Sequence, residues 1–171
     1  MTIYLDHAAT SFPKAPEVAE AVSLFLNQAA GNPGRGGHRL TVAASRVVEG
    51  AREDLAALLG GNSERTVFGP GSTFWINTVL TARISAGDRV VTSALEHNAV
   101  MRPLRWLEKK RRIKISTVKG RTSDGVPTAN EILDAVTRAP TSLVVLNHAC
   151  NVTGAVLPVA EVAQAVSPVP V

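Results

Sequence analysis

Cysteine is almost missing from this sequence. Cys150 is the only one, so no disulfide can form within the chain, and a reducing, cytoplasmic setting is the simplest expectation. Aromatic residues are also sparse, at 4% of 171 residues. None interleaves with the densest basic stretch, Lys109-Lys110-Arg111-Arg112, as base stacking would require. No apolar run approaches the roughly 20 residues needed to cross a bilayer. The first residues, Met1-Thr2-Ile3-Tyr4-Leu5-Asp6, lack the basic and apolar regions of a secretory signal. The four histidines and one cysteine lack zinc-ligand spacing, so no metal site is expected. Neither nucleic acid nor membrane is an expected partner. Internal repeats and low-complexity segments are absent as well.

What remains is the composition of an ordinary folded protein, 45% hydrophobic and 19% charged, long enough for one domain with a sizeable core. The net charge of +4 is modest, and much of it falls between Arg102 and Arg121. The Lys109–Arg112 run reads either as a nucleic-acid footprint or, preferred here, as a solvated helix end where cations complement the helix dipole.

Two amphipathic helices are expected first, over about 16–27 and 41–59, separated by the glycine-rich loop Gly31-Asn32-Pro33-Gly34-Arg35-Gly36-Gly37. Val18, Ala21, Val22, Phe25 and Leu26 supply the helical spacing of the first, with Pro16 at its start. The second ends at Gly60-Gly61. Short apolar strands then alternate with helices. Strands are expected at Thr66-Val67-Phe68, 89–92, 114–118 and 143–146, and helices at 72–82, 100–110, 130–138 and from 159. Such alternation implies βαβ units and a largely parallel sheet flanked by helices, an α/β fold. The closing residues Ser167-Pro168-Val169-Pro170-Val171 break the pattern, with no strand returning to the sheet. That break points to a chain cut short or a shifted reading frame. The expected organisation is an N-terminal helix and loop segment over 1–40, part of a larger domain over 41–166, and an aberrant tail over 167–171.

Four places carry candidate chemistry. At Gly69-Pro70-Gly71-Ser72-Thr73 a strand feeds a glycine turn and a helix, whose free N–H groups and positive dipole end suit a phosphate. The alternative is a tight turn capped by Ser72. Glu96-His97-Asn98 follows a strand, where open α/β sheets bind ligands. His97 there could stack on a flat ring or move a proton, or merely cap the next helix. The run Asn147 to Gly154 follows a buried strand and suits a binding loop. Asn151 could bond a ligand hydroxyl, and Cys150 reads better as a packed small side chain than as a nucleophile. The loops Asp6 to Thr10 and Asn32 to His38 are rich in small residues that allow close approach to backbone.

In this order and spacing the segments resemble the cysteine desulfurases of the class V aminotransferase family. The residues that carry the resemblance are Tyr4-Leu5-Asp6-His7-Ala8-Ala9-Thr10, Asn32 to His38, Gly71-Ser72-Thr73 with Asn77, Gly87-Asp88, Ser93 to Ala99, and His148 to Gly154. It covers nearly all of residues 3–166. It implies an aspartate-aminotransferase-like fold (fold type I) and an incomplete large domain. The implied cofactor is pyridoxal 5'-phosphate (PLP), with Ser72 and Thr73 at its phosphate, His97 stacked on its ring and taking part in proton transfer, and Asn151 on its phenolic oxygen. Ala8, Asn32 and His38 would belong to substrate loops. The implied reaction takes sulfur from L-cysteine to give alanine and an enzyme persulfide, in a homodimer that could serve a sulfur-acceptor protein and iron–sulfur cluster assembly.

Departures from the family pattern are visible too. Phe74 stands where the family usually has glutamate, Asn98 where many relatives have a second histidine, and Cys150 where they often have serine. An Asp-x-x-Gln strand and a histidine–lysine motif, whose lysine forms the Schiff base, are expected after the last helix and do not occur in these 171 residues. The chain alone is therefore expected to be inactive. Another class V aminotransferase or lyase reaction, and a non-enzymatic remnant or interaction module, are the rival readings.

Overall fold

Helical periodicity in the first third and strand–helix alternation afterwards give rise to two compact units, Met1–Phe68 and Gly69–Val171. They were described from a computed structural model covering residues 3–171.

In the first unit, α1 spans Pro16–Gln28 and α2 spans Arg39–Leu58. Pro16 sits in the first turn of α1, where its missing N–H is no loss. α2 starts two residues earlier than its apolar pattern predicts, because the His38 side chain accepts a hydrogen bond from the Thr41 N–H and so caps the helix. The strand expected at Thr66-Val67-Phe68 does not form. That segment follows a single 3-10 turn at Ser63–Arg65, and Arg52 of α2 claims it. The Arg52 guanidinium donates to the Thr66 carbonyl and lies 5.2 Å from the centroid of the Phe68 ring, a cation–π contact.

The second unit contains a parallel sheet of β1 (Arg89–Ser93), β2 (Lys114–Val118) and β3 (Leu143–Val145), in the order β2–β1–β3. The register sets Val91 beside Ser116 on one side and Val144 on the other. α3 (Ser72–Arg83) precedes the sheet, α4 (Asn98–Arg111) joins β1 to β2, α5 (Ala129–Thr137) joins β2 to β3, and α6 (Val159–Ala165) follows. Side chains alternate across a strand, so Val90 and Leu143 pack with Leu80, Ile84, Leu104 and Leu107 of α3, α4 and their flanks. Val91 and Val144 pack on the other face with Ile132, Val136 and Val162 of α5 and α6. Covering both faces is what a parallel sheet of near-continuous apolar strands requires. Apart from the missing strand, the element bounds agree with the sequence expectation to within two residues.

Charged side chains finish the helix ends. Arg89 donates to the Ala135 and Ala139 carbonyls and the Thr141 hydroxyl, which closes the C-terminal end of α5. Lys109, Lys110 and Arg111 occupy the last turn of α4, and Arg112 follows in the left-handed conformation. Arg111 donates to the Thr81 and Ile84 carbonyls at the end of α3, so part of the basic run holds two helix ends together.

No strand follows α6, as the sequence pattern leads one to expect, yet the tail still touches the sheet. The Pro170 carbonyl accepts a hydrogen bond from the Val144 N–H at 2.9 Å, and Val169 packs against the α5–α6 core. Proline lacks a donor but keeps its acceptor, so this tail meets the free edge of β3 through a carbonyl. Among the described residues no helix is long and apolar enough to cross a membrane, and no three His, Cys, Asp or Glu side chains cluster as metal ligands would.

Candidate functional site

The N-terminus of α3 is left open. Its N-cap is Gly71, at φ 137 and ψ 167, and no side chain caps it. The reading in which Ser72 caps the turn is therefore corrected, since Ser72 is the first helical residue. The Gly71 carbonyl takes the N–H groups of Phe74 and Trp75, while the first-turn N–H groups of Ser72 and Thr73 have no acceptor within the helix. Two free amides and the positive end of the helix dipole therefore meet there, beside the hydroxyl-bearing residues Ser72 and Thr73. Gly69 is needed for packing: a Cβ there would lie 2.2 Å from Trp75 Nε1. Phe74 stands edge-on to Trp75, 5.0 Å between ring centroids.

His97 lies across from that helix end. Ser72, Thr73, Glu96, His97, Asn147 and His148 all line one cavity of about 630 Å³. Thr73 and His97 also line a second, of about 560 Å³, with Asn77, Asn98 and Arg102. His97 is exposed and caps α4, its Nδ1 accepting the Ala99 N–H at 3.0 Å. His97 thus caps the helix and also lines both cavities. With Nδ1 committed as an acceptor, the proton of the neutral ring is assigned to Nε2.

Glu96 is a half-buried carboxyl at the site. Its Oε1 accepts the Ser93 hydroxyl at 2.8 Å and the Asn147 N–H at 2.7 Å, and its Oε2 is buried without a partner. Burial pushes its carboxyl above the ordinary glutamate range, against the opposing pull of those two hydrogen bonds. The loop after β3 is a tight hairpin: Leu157 N–H donates to His148, Cys150 N–H to Ala155, and Gly154 N–H, at φ 73, back to Cys150. Cys150 is buried, and the Thr153 hydroxyl holds its thiol below the usual range. Asn151 lies exposed at the tip of this hairpin and does not line the cavity that Ser72, Thr73 and His97 share.

Ala8, Asn32 and His38 belong to the first unit. Ala8 is exposed in a turn closed by hydrogen bonds from the Ala9 and Thr10 N–H groups to the Asp6 carbonyl. Asn32 Oδ1 accepts the Gly34 N–H at 2.9 Å, and His38 caps α2. The sequence reading gave Glu96, Ser93 and Asn147 no role. The short Ser93-x-x-Glu96 spacing lets their side chains meet, but nothing local to either residue points to Asn147, 51 positions later.

The donors around α3 fit a phosphate dianion, which needs unpaired N–H and O–H groups and positive potential. The exposed imidazole of His97 beside them fits the flat ring of PLP.

A family model described as Aminotransferase class-V matches residues 3–168. The chain is 34% identical over 178 residues to a selenocysteine lyase of Xenopus tropicalis, covering 95% of this chain and 41% of that protein. It is 33% identical to a probable cysteine desulfurase of Aeropyrum pernix, over 95% of this chain and 40% of the other. Among solved structures, the apo cysteine desulfurase of Thermococcus onnurineus superposes with a TM-score of 0.87 at 27% identity, covering 95% of this chain and 40% of that one. A NifS-like protein gives 0.85 at 29% identity, over 99% and 46%. The chain thus spans about 40% of the length of the curated relatives it matches, and its parallel sheet with flanking helices is part of the large domain of their fold-type-I architecture.

Proposed function

Since this chain belongs to the class V aminotransferase family, we propose that its second unit holds part of a PLP site, with Ser72 and Thr73 at the phosphate and His97 against the ring. Asn151 is assigned to the phenolic oxygen from its motif alone. The observation that carries the reading is the uncapped N-terminus of α3 opening, with His97, on one cavity. When bound, the cofactor supplies an electron sink for an amino-acid substrate. The residues of this chain bind and orient: the amides and hydroxyls of Ser72 and Thr73 hold the anionic end, and His97 offers Nε2 as the nitrogen free to hold or pass a proton.

For the whole protein we propose removal of sulfur from L-cysteine, giving alanine and an enzyme persulfide. Selenocysteine is the alternative substrate, a reading supported by similarity to selenocysteine lyases. Substrate contacts at Ala8, Asn32 and His38, a homodimer, a sulfur-acceptor protein and a cytoplasmic setting in iron–sulfur cluster assembly belong to the same proposal. These 171 residues hold neither the Asp-x-x-Gln nor the histidine–lysine motif, so by themselves they should bind PLP without turning over L-cysteine.

The test is a PLP titration followed by absorbance, with wild type and with Ser72→Ala/Thr73→Ala. Binding that weakens by about tenfold or more in the double variant, the loss expected for charge-assisted hydrogen bonds, and that inorganic phosphate displaces, supports the reading. Equal binding by both proteins refutes it. Alanine and sulfide released from L-cysteine by this chain would overturn the inactivity.

A further inference from the structure

Glu96 occupies a position that its neighbours in sequence do not explain. It is the residue before His97, and its Oε1 accepts two hydrogen bonds from opposite sides. One comes from Ser93 at the end of β1, at 2.8 Å; the other comes from the backbone N–H of Asn147, 51 residues away, at 2.7 Å. Ser93 is fully buried, and its hydroxyl also accepts the Leu95 N–H at 3.1 Å, which fixes the turn that presents Glu96. Asn147 is the first residue after β3 and its short extension, where the hairpin carrying Asn151 begins. β1 and β3 are paired only as far as Thr92 and Val145. Beyond that point, the Glu96–Asn147 bond is the hydrogen bond that joins the two loops.

We propose that Glu96 is a positioning residue, whose carboxyl clips the loop after β1 to the loop after β3 and thereby fixes His97 relative to the Asn151 hairpin. The proposal rests on the reading of this site as the PLP pocket. A side chain with no ligand-binding role could satisfy Ser93 alone from the surface. Drawing a carboxyl inward, with one oxygen left unpartnered, opposes folding, and the raised pKa of Glu96 records that opposition. The geometry gained in return lies at the carboxyl ends of two adjacent parallel strands, where ligands bind in open α/β sheets.

Two measurements on this chain test the clip. The first is amide hydrogen exchange at Asn147, read by NMR. Glu96→Ala should raise its exchange rate by about tenfold or more while leaving Val91 and Val144 in the sheet unchanged, because only a local opening is made easier. Glu96→Gln, which keeps an acceptor oxygen, should restore the wild-type rate. The second is PLP affinity, which should fall by about tenfold in Glu96→Ala and recover in Glu96→Gln. Unchanged exchange at Asn147 in Glu96→Ala overturns the clip. Faster exchange with unaltered PLP affinity overturns the positioning role. If the wild-type chain binds no PLP, the cofactor reading fails and the positioning role fails with it, while Asn147 exchange still decides whether the clip exists. Should Glu96→Ala fail to fold, Glu96→Leu replaces it: that variant keeps side-chain bulk but offers no acceptor to the Asn147 N–H, and the same outcomes count for and against.

Discussion

Replacing Gly71 with alanine separates backbone strain from steric crowding at the proposed phosphate loop. Nothing lies within 4 Å of where the new Cβ would stand, so a contact-based reading predicts no effect. The backbone predicts otherwise. At φ 137 and ψ 167 Gly71 occupies a region that is essentially reserved for glycine and costs other residues about 1–3 kcal/mol. Against this, alanine restricts the unfolded chain and returns about 0.4–1 kcal/mol. The difference spans about 0–2.6 kcal/mol and centres near 1.3 kcal/mol, which for a unit of this size lowers the melting temperature by roughly 5–10 °C. The chain could instead relax by rotating the peptide, but then the Gly71 carbonyl would leave the N–H groups of Phe74 and Trp75, and the first turn of α3 would fray. Either route should weaken PLP binding, measured by absorbance titration beside a thermal melt. Gly87→Ala is the control, since Gly87 also has positive φ, at 83, and open space around its Cβ. It sits in the turn between α3 and β1, so it should lose stability and keep PLP affinity. A Gly71→Ala protein that melts within about 1 °C of wild type and binds PLP equally would refute the reasoning.

Three further outcomes follow from the packing and the charges. Because burial raises the Glu96 pKa, its neutral form is favoured on folding. Its contribution is fully present below the ordinary glutamate value of about 4.3 and is lost as pH rises through the raised one. The stability of Glu96→Gln relative to wild type should therefore improve between about pH 4 and pH 7, and a difference that stays constant in denaturant melts over that range would contradict the assignment. Leu104 is fully buried between α4 and the sheet, so Leu104→Ala should cost about 2–5 kcal/mol by chemical denaturation. A loss below about 1 kcal/mol would show that the α3–α4 layer is not packed as described. Arg89→Met should cost about 1–3 kcal/mol by leaving the Ala135 and Ala139 carbonyls without their donor, and hydrogen exchange should report the loss at the end of α5 before it reaches β1.

The sheet and its helices were legible because apolar runs such as Arg89-Val90-Val91-Thr92 and Leu143-Val144-Val145 follow turns at Gly87 and Pro140, and because helical spacing fills the gaps between them. The misreadings share physical causes. α2 and α4 each begin two residues before their apolar pattern does, since histidine rather than serine, threonine, aspartate or asparagine supplies the cap. Thr66-Val67-Phe68 has the composition of a strand, but Arg52, 14 residues earlier, takes the Thr66 carbonyl. No strand returns after α6, yet the tail meets the sheet edge, because a carbonyl alone suffices to accept from the Val144 N–H.

The candidate site divides along the same line. The start of α3 at Ser72 was legible because a helix N-terminus is a local property: the glycine turn before it sets which amides are free. Glu96 was visible as a residue and silent as a function, because its partner Asn147 enters the sequence 51 positions later. No window of local periodicity contains both. Asn151 shows the reverse case, a residue assigned through its motif whose hairpin leaves it exposed, away from the cavity of His97. Local rules thus account for where helix amides are left free, while the proposed clip between His97 and the Asn151 hairpin depends on one half-buried carboxyl that joins two loops. Of the contacts described, that long-range bond is the one whose loss should alter ligand geometry without dissolving either strand.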